Sequence, residues 1–147
     1  MTIDEFRAIF ENRQSKIINP ERGFKLIKTE LVNRTKLFVL NCVKVAVSLP
    51  NTYLGNHIKG QLIRCSTSVA ANYRAVCLAQ SKASFISKIS VVIEEADESE
   101  FWLEFIIDEN LLSVSTVEPL KNESHELASI FVSSRKTARL RNDRNDD

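Results

Sequence analysis

The chain has 147 residues, 27% of them charged, and a formal net charge of +1 at pH 7. This length suits one domain with a core of its own, and only three Gly and three Pro interrupt it, so long helices are possible. The N-terminus, M-T-I-D-E, is acidic and lacks an apolar segment, and no run approaches the roughly 18 apolar residues that a membrane span requires. We therefore expect a cytoplasmic protein with no membrane contact.

The cysteines point to the same compartment. Cys42, Cys65 and Cys77 are odd in number, far apart in the sequence and set among apolar neighbours. This pattern favours reduced, buried thiols over disulfides or a metal site. We expect neither a metal nor another cofactor.

Residues 1–29 form an N-terminal extension. Within it, residues 2–18 fit one amphipathic helix, and the breaker N-P-E-R-G follows at residues 19–23. The apolar positions of that helix are Phe6, Ile9, Phe10 and Ile17. The extension is therefore either one short helix or disordered.

Four long segments with helical periodicity follow the extension. The first begins near Glu30 and ends at Pro50, and the second runs from about Tyr53 to Leu78. Steps of three and four residues keep one apolar stripe of each segment facing a partner helix. The stripes are Leu31, Thr35, Phe38, Cys42, Val45 and Leu49 in the first, and Leu54, Ile58, Leu62, Cys65, Val69, Tyr73 and Val76 in the second.

The third segment begins at Ser81, a good N-cap. The fourth opens after a capping-box pattern from Ser115 to Glu118, with Pro119 still in the first turn. Their stripes are Phe85, Ile89, Val92, Ala96, Leu103 and Ile106, then Leu120, Ser124, Leu127, Phe131, Ser134 and Ala138. Because short links make neighbouring helices antiparallel, we predict an all-α fold: an up-down-up-down four-helix bundle over residues 30–140. Residues 141–147 are expected to be a disordered charged tail.

The third segment also carries aromatic residues off its stripe. At about 100° per residue, Phe101, Trp102 and Phe105 point away from the inward positions. In a four-helix monomer every helix keeps one face in water, and three exposed aromatics together are improbable. We therefore predict that these residues form an oligomer interface; the N-terminal segment is the other candidate to cover them.

Charge is segregated along the chain far more than the net value suggests. Between Leu31 and Ile93 there is no Asp or Glu, while eight basic residues occur; from Glu94 to Glu126 eleven acids face Lys121 alone. Two interpretations are open. In the first, the basic first and second helices pair with the acidic third, within the bundle or between subunits, and such pairs mainly set the orientation of the partners. In the second, the basic helices form a patch that binds nucleic acid phosphates. The near-neutral net charge favours pairing.

Catalytic and metal chemistry find little support. A di-iron carboxylate bundle requires Glu-x-x-His on two helices, but His57 follows Leu54 and His125 follows Asn122 at that spacing. The two histidines have no Ser, Cys or Asp partner at a spacing typical of nucleophilic catalysis, and the sequence has no glycine-rich phosphate loop. We expect a protein that is not an enzyme.

Several runs resemble one known family. They are R-C-S-T-S-V-A-A-N-Y-R at residues 64–74, S-K-A-S-F-I-S-K at residues 81–88 and E-A-D-E-S-E-F-W-L-E at residues 95–104, with R-T-K at residues 34–36. They are similar to the four helix bundle family of bacterial proteins whose founding members are encoded by intervening sequences inside 23S ribosomal RNA genes. The likeness runs from Glu30 to about Arg139. It implies a four-helix bundle assembled into a ring-shaped homopentamer, with no established reaction.

The resemblance also suggests partners and site residues. A more distant likeness, to the accessory protein of diversity-generating retroelements, implies RNA or DNA as the first partner to test. The expected nucleic-acid-binding residues are Arg64, Arg74, Lys82 and Lys88. Five basic residues near the C-terminus could extend this phosphate-binding surface: Arg135, Lys136, Arg139, Arg141 and Arg144. The competing role for these residues, with Asn72, Ser81, Glu95 and Glu98, is to cap helices and set register, in a structural or protein-interaction scaffold with no nucleic-acid role. Ala75, Gln80 and Ser84 depart from the family pattern, and Ser84 removes the carboxylate of a capping box that starts at Ser81.

Overall fold

The computed structural model describes residues 20–140, with side chains from residue 27 onward. Four helices make up this part of the chain: α1 (Pro20–Ser48), α2 (Tyr53–Cys77), α3 (Lys82–Asp108) and α4 (Val114–Leu140). Each helix packs against the next, and α4 returns to α1 in a looser contact. The other two helix pairs lie diagonally across the bundle, where the rings of Tyr73 on α2 and Phe131 on α4 meet in the core with their centroids 5.1 Å apart. The described residues therefore form an antiparallel four-helix bundle, as predicted. None of its helices is both long and apolar enough to cross a membrane.

The apolar stripes predicted from periodicity form the core. All six inward positions of α1 are buried, as are Ile58, Leu62, Cys65, Val69, Tyr73 and Val76 of α2. Leu54 of α2 is only half-buried, and on α3 and α4 the stripe is correct except that Phe85, Ser134 and Ala138 near the ends are half-buried. Val117 and Ile130 join the core although the pattern omitted them. One continuous core thus runs the length of the bundle.

Four small polar residues are buried in this core, and each donates a hydrogen bond. Ser124 on α4 donates to the carbonyl oxygen of Ala96 on α3 at 2.8 Å. Ser99 donates to Glu95 O at 2.8 Å and lies 3.2 Å from the Cys65 sulfur on α2. Thr35 and Ser66 donate to carbonyls within their own helices. Since a buried hydroxyl costs free energy only when it lacks a partner, these residues allow close approach of the backbones without that cost.

Two helix starts differ from the predictions. α1 begins at Pro20 rather than near Glu30, because proline is tolerated in the first turn, where its missing N–H has no partner anyway. α4 begins at Val114, and the Ser113 carbonyl accepts from Thr116 N at 3.0 Å. Ser115 therefore lies inside the helix and not at its cap, and Pro119 falls in the second turn. The proposed helix over residues 2–18 and the tail at 141–147 lie outside the described residues.

The other helix ends have recognisable caps. Thr52 accepts from Gly55 N at 3.0 Å and Ser81 accepts from Ser84 N at 3.1 Å, so Ser81 is the N-cap that the sequence indicated. The end of α3 is a Schellman motif: Leu111 N donates to Ile106 O and Asn110 N to Ile107 O, both at 3.0 Å. Asn110 supplies the left-handed conformation, with φ of 54°.

Gly55 is required by the tight turn between α1 and α2. A Cβ atom at this buried position would lie 2.0 Å from the carbonyl oxygen of Pro50. At Gly60, one and a half turns along the same helix, a Cβ would meet nothing within 4 Å. Alanine substitutions at Gly55 and Gly60 can therefore be compared directly, because only the first would meet a neighbouring atom.

We predict opposite effects for alanine at these two sites. Gly55→Ala should destabilise the bundle by about 1 to 3 kcal/mol, because the clash is with backbone. Gly60→Ala should stabilise it by up to about 1 kcal/mol, because alanine favours the helix. Urea denaturation of both variants measures the free energy of unfolding. Equal changes of the same sign would mean that the Pro50 turn does not pack as described.

Candidate nucleic-acid interface

The antiparallel topology converts charge segregation along the chain into segregation along the bundle axis. One end of the bundle contains the start of α1, the end of α2, the start of α3 and the end of α4. We call it the basic end; its described cations are Lys28, Arg74, Lys82, Lys88, Arg135, Lys136 and Arg139. Among the residues with described side chains, Glu30 is its one acid. The opposite end is acidic, with Glu100, Glu104, Asp108, Glu109 and Glu118 against Lys44, Lys59 and Lys121.

Hydrogen bonds confirm that the helix termini meet at the basic end. The ammonium of Lys82 donates to the carbonyl oxygen of Arg139 at 3.4 Å, joining α3 to α4. Lys28 donates to Cys77 O at 3.3 Å, joining α1 to α2. The Arg135 guanidinium donates to Ser90 Oγ at 3.0 Å. The contacts hold four helix termini, and the cations they carry, in one region.

Arg74, Lys88 and Lys136 are the cations best placed for an external ligand. All three are exposed, and none has a carboxylate within ion-pair distance among the residues that the structure describes. Arg74 and Lys88 were predicted as nucleic-acid-binding residues, and both lie at the basic end with Lys82. Lys136 and Arg139 of α4, which the sequence indicated as an extension of the surface, lie at the same end.

Arg64 stands apart from these residues. It lies in the middle of α2, where its guanidinium pairs with Glu95 at 3.2 Å and with Glu98 of α3. The hydrogen bond from Arg64, followed by the one from Trp102 Nε1 at 3.2 Å, holds the pKa of Glu98 below its usual value. The charge of Arg64 is thus compensated within the bundle. This is the pairing of basic and acidic helices that the charge pattern suggested.

Arg34 is neutralised in the same way, but by α4. Its Nε donates to Glu123 Oε1 at 2.6 Å and its Nη2 to Glu123 Oε2 at 2.8 Å, and it also pairs with Glu126. The Arg34 side chain is only 14% exposed. The hydrogen bond that the guanidinium donates to Glu123 raises the pKa of Arg34 above its ordinary value. This bidentate pair fixes α1 against α4, which pack less tightly than the other neighbouring helix pairs.

The aromatic residues of α3 occupy a second surface. Phe101 is 50% exposed, whereas Trp102 and Phe105 are half-buried against the core. The Trp102 ring lies 4.9 Å from that of Phe101 and 5.6 Å from that of His57 on α2, both edge to face. The expectation that all three point away from the core is therefore wrong for Trp102 and Phe105, which are partly buried against it. Trp102 lies about 100° from Leu103 around the helix, so its ring reaches His57 of α2. The role of these residues as an interface stays a prediction.

The described residues show no cluster of three or more His, Cys, Asp or Glu that could hold a metal. His125 Nδ1 lies 3.2 Å from both carboxylate oxygens of Glu100, in an exposed pair. Cys42 and Cys65 are buried and Cys77 is half-buried, all as free thiols. Burial raises the pKa of each thiol, so none is an activated nucleophile.

Comparison with known proteins places this arrangement in a family. The family model described as 23S rRNA-intervening sequence protein matches residues 28–133, and the chain belongs to this family. The chain is similar to the crystal structure of a protein with unknown function from the S23 ribosomal protein family of Bacteroides thetaiotaomicron VPI-5482. The two share 29% sequence identity and a TM-score of 0.68, over 74% of this chain and 97% of the other. Among proteins with curated descriptions, none matches.

The Arg64 and Glu98 pair predicts a pH-dependent contribution to stability. Because the pKa of Glu98 is lowered in the folded state, the contribution is complete well above the ordinary value of about 4.5 and is lost as the pH falls through the lowered pKa. Glu98→Gln should therefore cost up to about 1 kcal/mol at pH 7, and the difference from the native protein should shrink as the pH falls below 4.

Urea denaturation between pH 3 and 7 measures this difference. Glu118→Gln, an exposed carboxylate on α4, is the matched control and should follow the native protein throughout. A gap between native protein and Glu98→Gln that stays constant with pH would contradict the ion pair.

Proposed function

We propose that this protein is a non-enzymatic, oligomeric bundle that binds RNA or DNA through the phosphates that contact its basic end. The observation that supports the proposal is the meeting of seven cations from four helix termini with Glu30 as the one described acid among them. Phosphates are the ligand class that such a surface attracts most strongly, because each Lys or Arg contact releases a condensed counterion.

The proposed contacts follow from exposure and pairing. Arg74, Lys88, Lys136 and Arg139 are exposed, so their charge reaches solvent. Arg64 is not part of the proposed surface, because Glu95 and Glu98 already compensate it. Among the described Phe, Tyr and Trp residues, the exposed ones are Tyr53 and Phe101, which lie away from the basic end. Without stacking or base-edge contacts, binding should be insensitive to sequence.

The acidic end gives the proposed complex an orientation. The net charge of the whole chain is only +1, so attraction does not come from the molecule as a whole. It comes from the charge gradient along the bundle axis, which turns the basic end toward the phosphate backbone and the acidic end away. Self-association that brings several basic ends together would strengthen binding through effective concentration.

A second candidate is a structural or protein-interaction scaffold with no nucleic-acid role. The ion pairs of Arg34 and Arg64 favour it, because they use basic residues of α1 and α2 to hold α4 and α3. Those pairs account for cations in the middle of the bundle. They do not account for Arg74, Lys88 and Lys136, which is why nucleic-acid binding is preferred.

A matched pair of triple variants tests the proposal. Gel-shift titrations with structured RNA and duplex DNA should detect a complex at low salt that weakens as salt rises. Arg74→Ala, Lys88→Ala and Lys136→Ala together should weaken it at least about tenfold and lower the slope of log affinity against log salt by about one per cation removed. Lys44→Ala, Lys59→Ala and Lys121→Ala together remove the same charge from the acidic end. Compared at a protein concentration at which light scattering gives both triple variants the same mass, these changes should alter affinity little.

Two results would contradict nucleic-acid binding at this end. One is the absence of a complex at low salt. The other is an equal loss in both triple variants, which would make the effect one of net charge only. Arg64→Ala serves as a further control and should bind as the native protein does.

A further inference from the structure

The outer side of α1 exposes aliphatic side chains between two lysines. Leu37 is 58% exposed, Leu40 50% and Val47 63%. At 100° per residue, they fall within one sector of the helix together with Lys36 and Lys44, which are also exposed. We call these five residues the α1 face. An aliphatic strip of this length on the outside of a helix is typical of a contact surface.

The outer side of α3 has the opposite character. Phe101, 50% exposed, lies at the centre of a sector that also contains Glu94, Asp97, Glu104 and Asp108, all exposed. We call these five residues the α3 face. Its apolar centre is the Phe101 ring, whose centroid lies 4.9 Å from that of the Trp102 ring.

The two faces lie on opposite sides of the bundle. α1 and α3 lie diagonally across the bundle, since each packs on α2 and on α4. A single chain therefore cannot bring its own α1 face against its own α3 face. Each face is available to a different molecule.

We propose that the α1 face of one copy binds the α3 face of a second copy. Charge decides this pairing. Two α1 faces would oppose lysine with lysine and two α3 faces would oppose acid with acid, so both symmetric contacts are penalised. An α1 face against an α3 face places Lys36 and Lys44 among four carboxylates, with Phe101 against Leu37, Leu40 and Val47.

A groove beside the α1 face supplies shape for this contact. It lies where α1 and α4 pack loosely, and its volume is about 510 Å³. Leu37 and Lys44 of the α1 face form one wall, and Thr116, Pro119 and Leu120 of α4 form the other. The groove provides a recess for the Phe101 ring, and apolar anchors in recesses carry much of the energy of protein contacts.

The proposed contact uses different surfaces on the two partners. Such a contact repeats from copy to copy, so it closes into a ring or grows into a filament, according to the angle between neighbours. It rests on the self-association proposed above and specifies which surfaces perform it. It also assigns the central role to Phe101, because Trp102 and Phe105 are partly committed to the core of their own chain.

Two single variants, each with one face disabled, test the contact. Leu40→Glu places a charge on the α1 face and leaves the α3 face intact, and Phe101→Glu does the reverse. Because each face lies on the surface, circular dichroism should show that both variants fold. Light scattering should find each variant alone with the mass of one chain, since a desolvated carboxylate opposes either contact.

Mixing the two variants should give a heterodimer with twice that mass and nothing larger. The intact α3 face of Leu40→Glu meets the intact α1 face of Phe101→Glu, while the two remaining faces both carry the new acid. Val132→Glu, at an apolar residue of α4 that is 42% exposed, is the control and should keep the native mass.

The outcomes separate this contact from self-association itself. A native protein with the mass of one chain would overturn both. A native oligomer whose two variants keep the native mass, or fail to form the heterodimer when mixed, would overturn only the pairing of α1 with α3. Monomeric variants should still shift RNA or DNA at low salt, so loss of the contact remains distinguishable from loss of nucleic-acid binding.

Discussion

The constraint on which the rest of the structure depends is that each helix has only one continuous apolar stripe. Four such helices bury their stripes together only by surrounding one shared core, and short links then make successive helices antiparallel. The antiparallel order brings residues 72–93 and 133–140 to the same end of the bundle. Both stretches lack acids, so hydrophobic burial alone creates the basic end.

Position along the axis decides what each cation does. In the middle of the bundle, Arg34 and Arg64 face carboxylates on the neighbouring helix, and their charges are compensated. At the basic end the neighbours are Lys82, Arg135 and Arg139, so Arg74 and Lys88 find no carboxylate among the described residues. The same residue type thus stabilises the bundle in one place and presents charge to solvent in another.

Much of the fold could be predicted from periodicity, because the spacing of apolar residues within one helix is enough to show which of its faces is buried. The six inward positions of the first helix are all buried, and Ser81 is the N-cap. The starts of α1 and α4 could not be predicted, because Pro20 reads as a breaker and Ser115 as a cap unless the tertiary packing of the flanking turn is known. The requirement for glycine at position 55 could not be predicted for the same reason, because the atom that a Cβ would meet there is the carbonyl oxygen of Pro50.

The candidate site was only partly predictable. The sequence indicated segregated charge and singled out Arg74, Lys82 and Lys88, but it grouped the charges by helix rather than by bundle end. Lys136 and Arg139 were expected to extend the surface from the C-terminus, and only the antiparallel order of the helices shows that they lie beside the end of α2 and the start of α3. Pairing of Arg64 with α3 followed from the charge pattern, whereas pairing of Arg34 with α4 depends on how the bundle closes.

In the proposed complex, the charge gradient along the bundle axis, and not the net charge of the chain, directs nucleic-acid binding. Lysine acetylation footprinting with and without duplex DNA at low salt tests it most directly, because it reports each lysine separately. The account predicts that Lys82, Lys88 and Lys136 are protected, while Lys44, Lys59 and Lys121 react as in the free protein. Equal protection at both ends, or protection only at the acidic end, would contradict it.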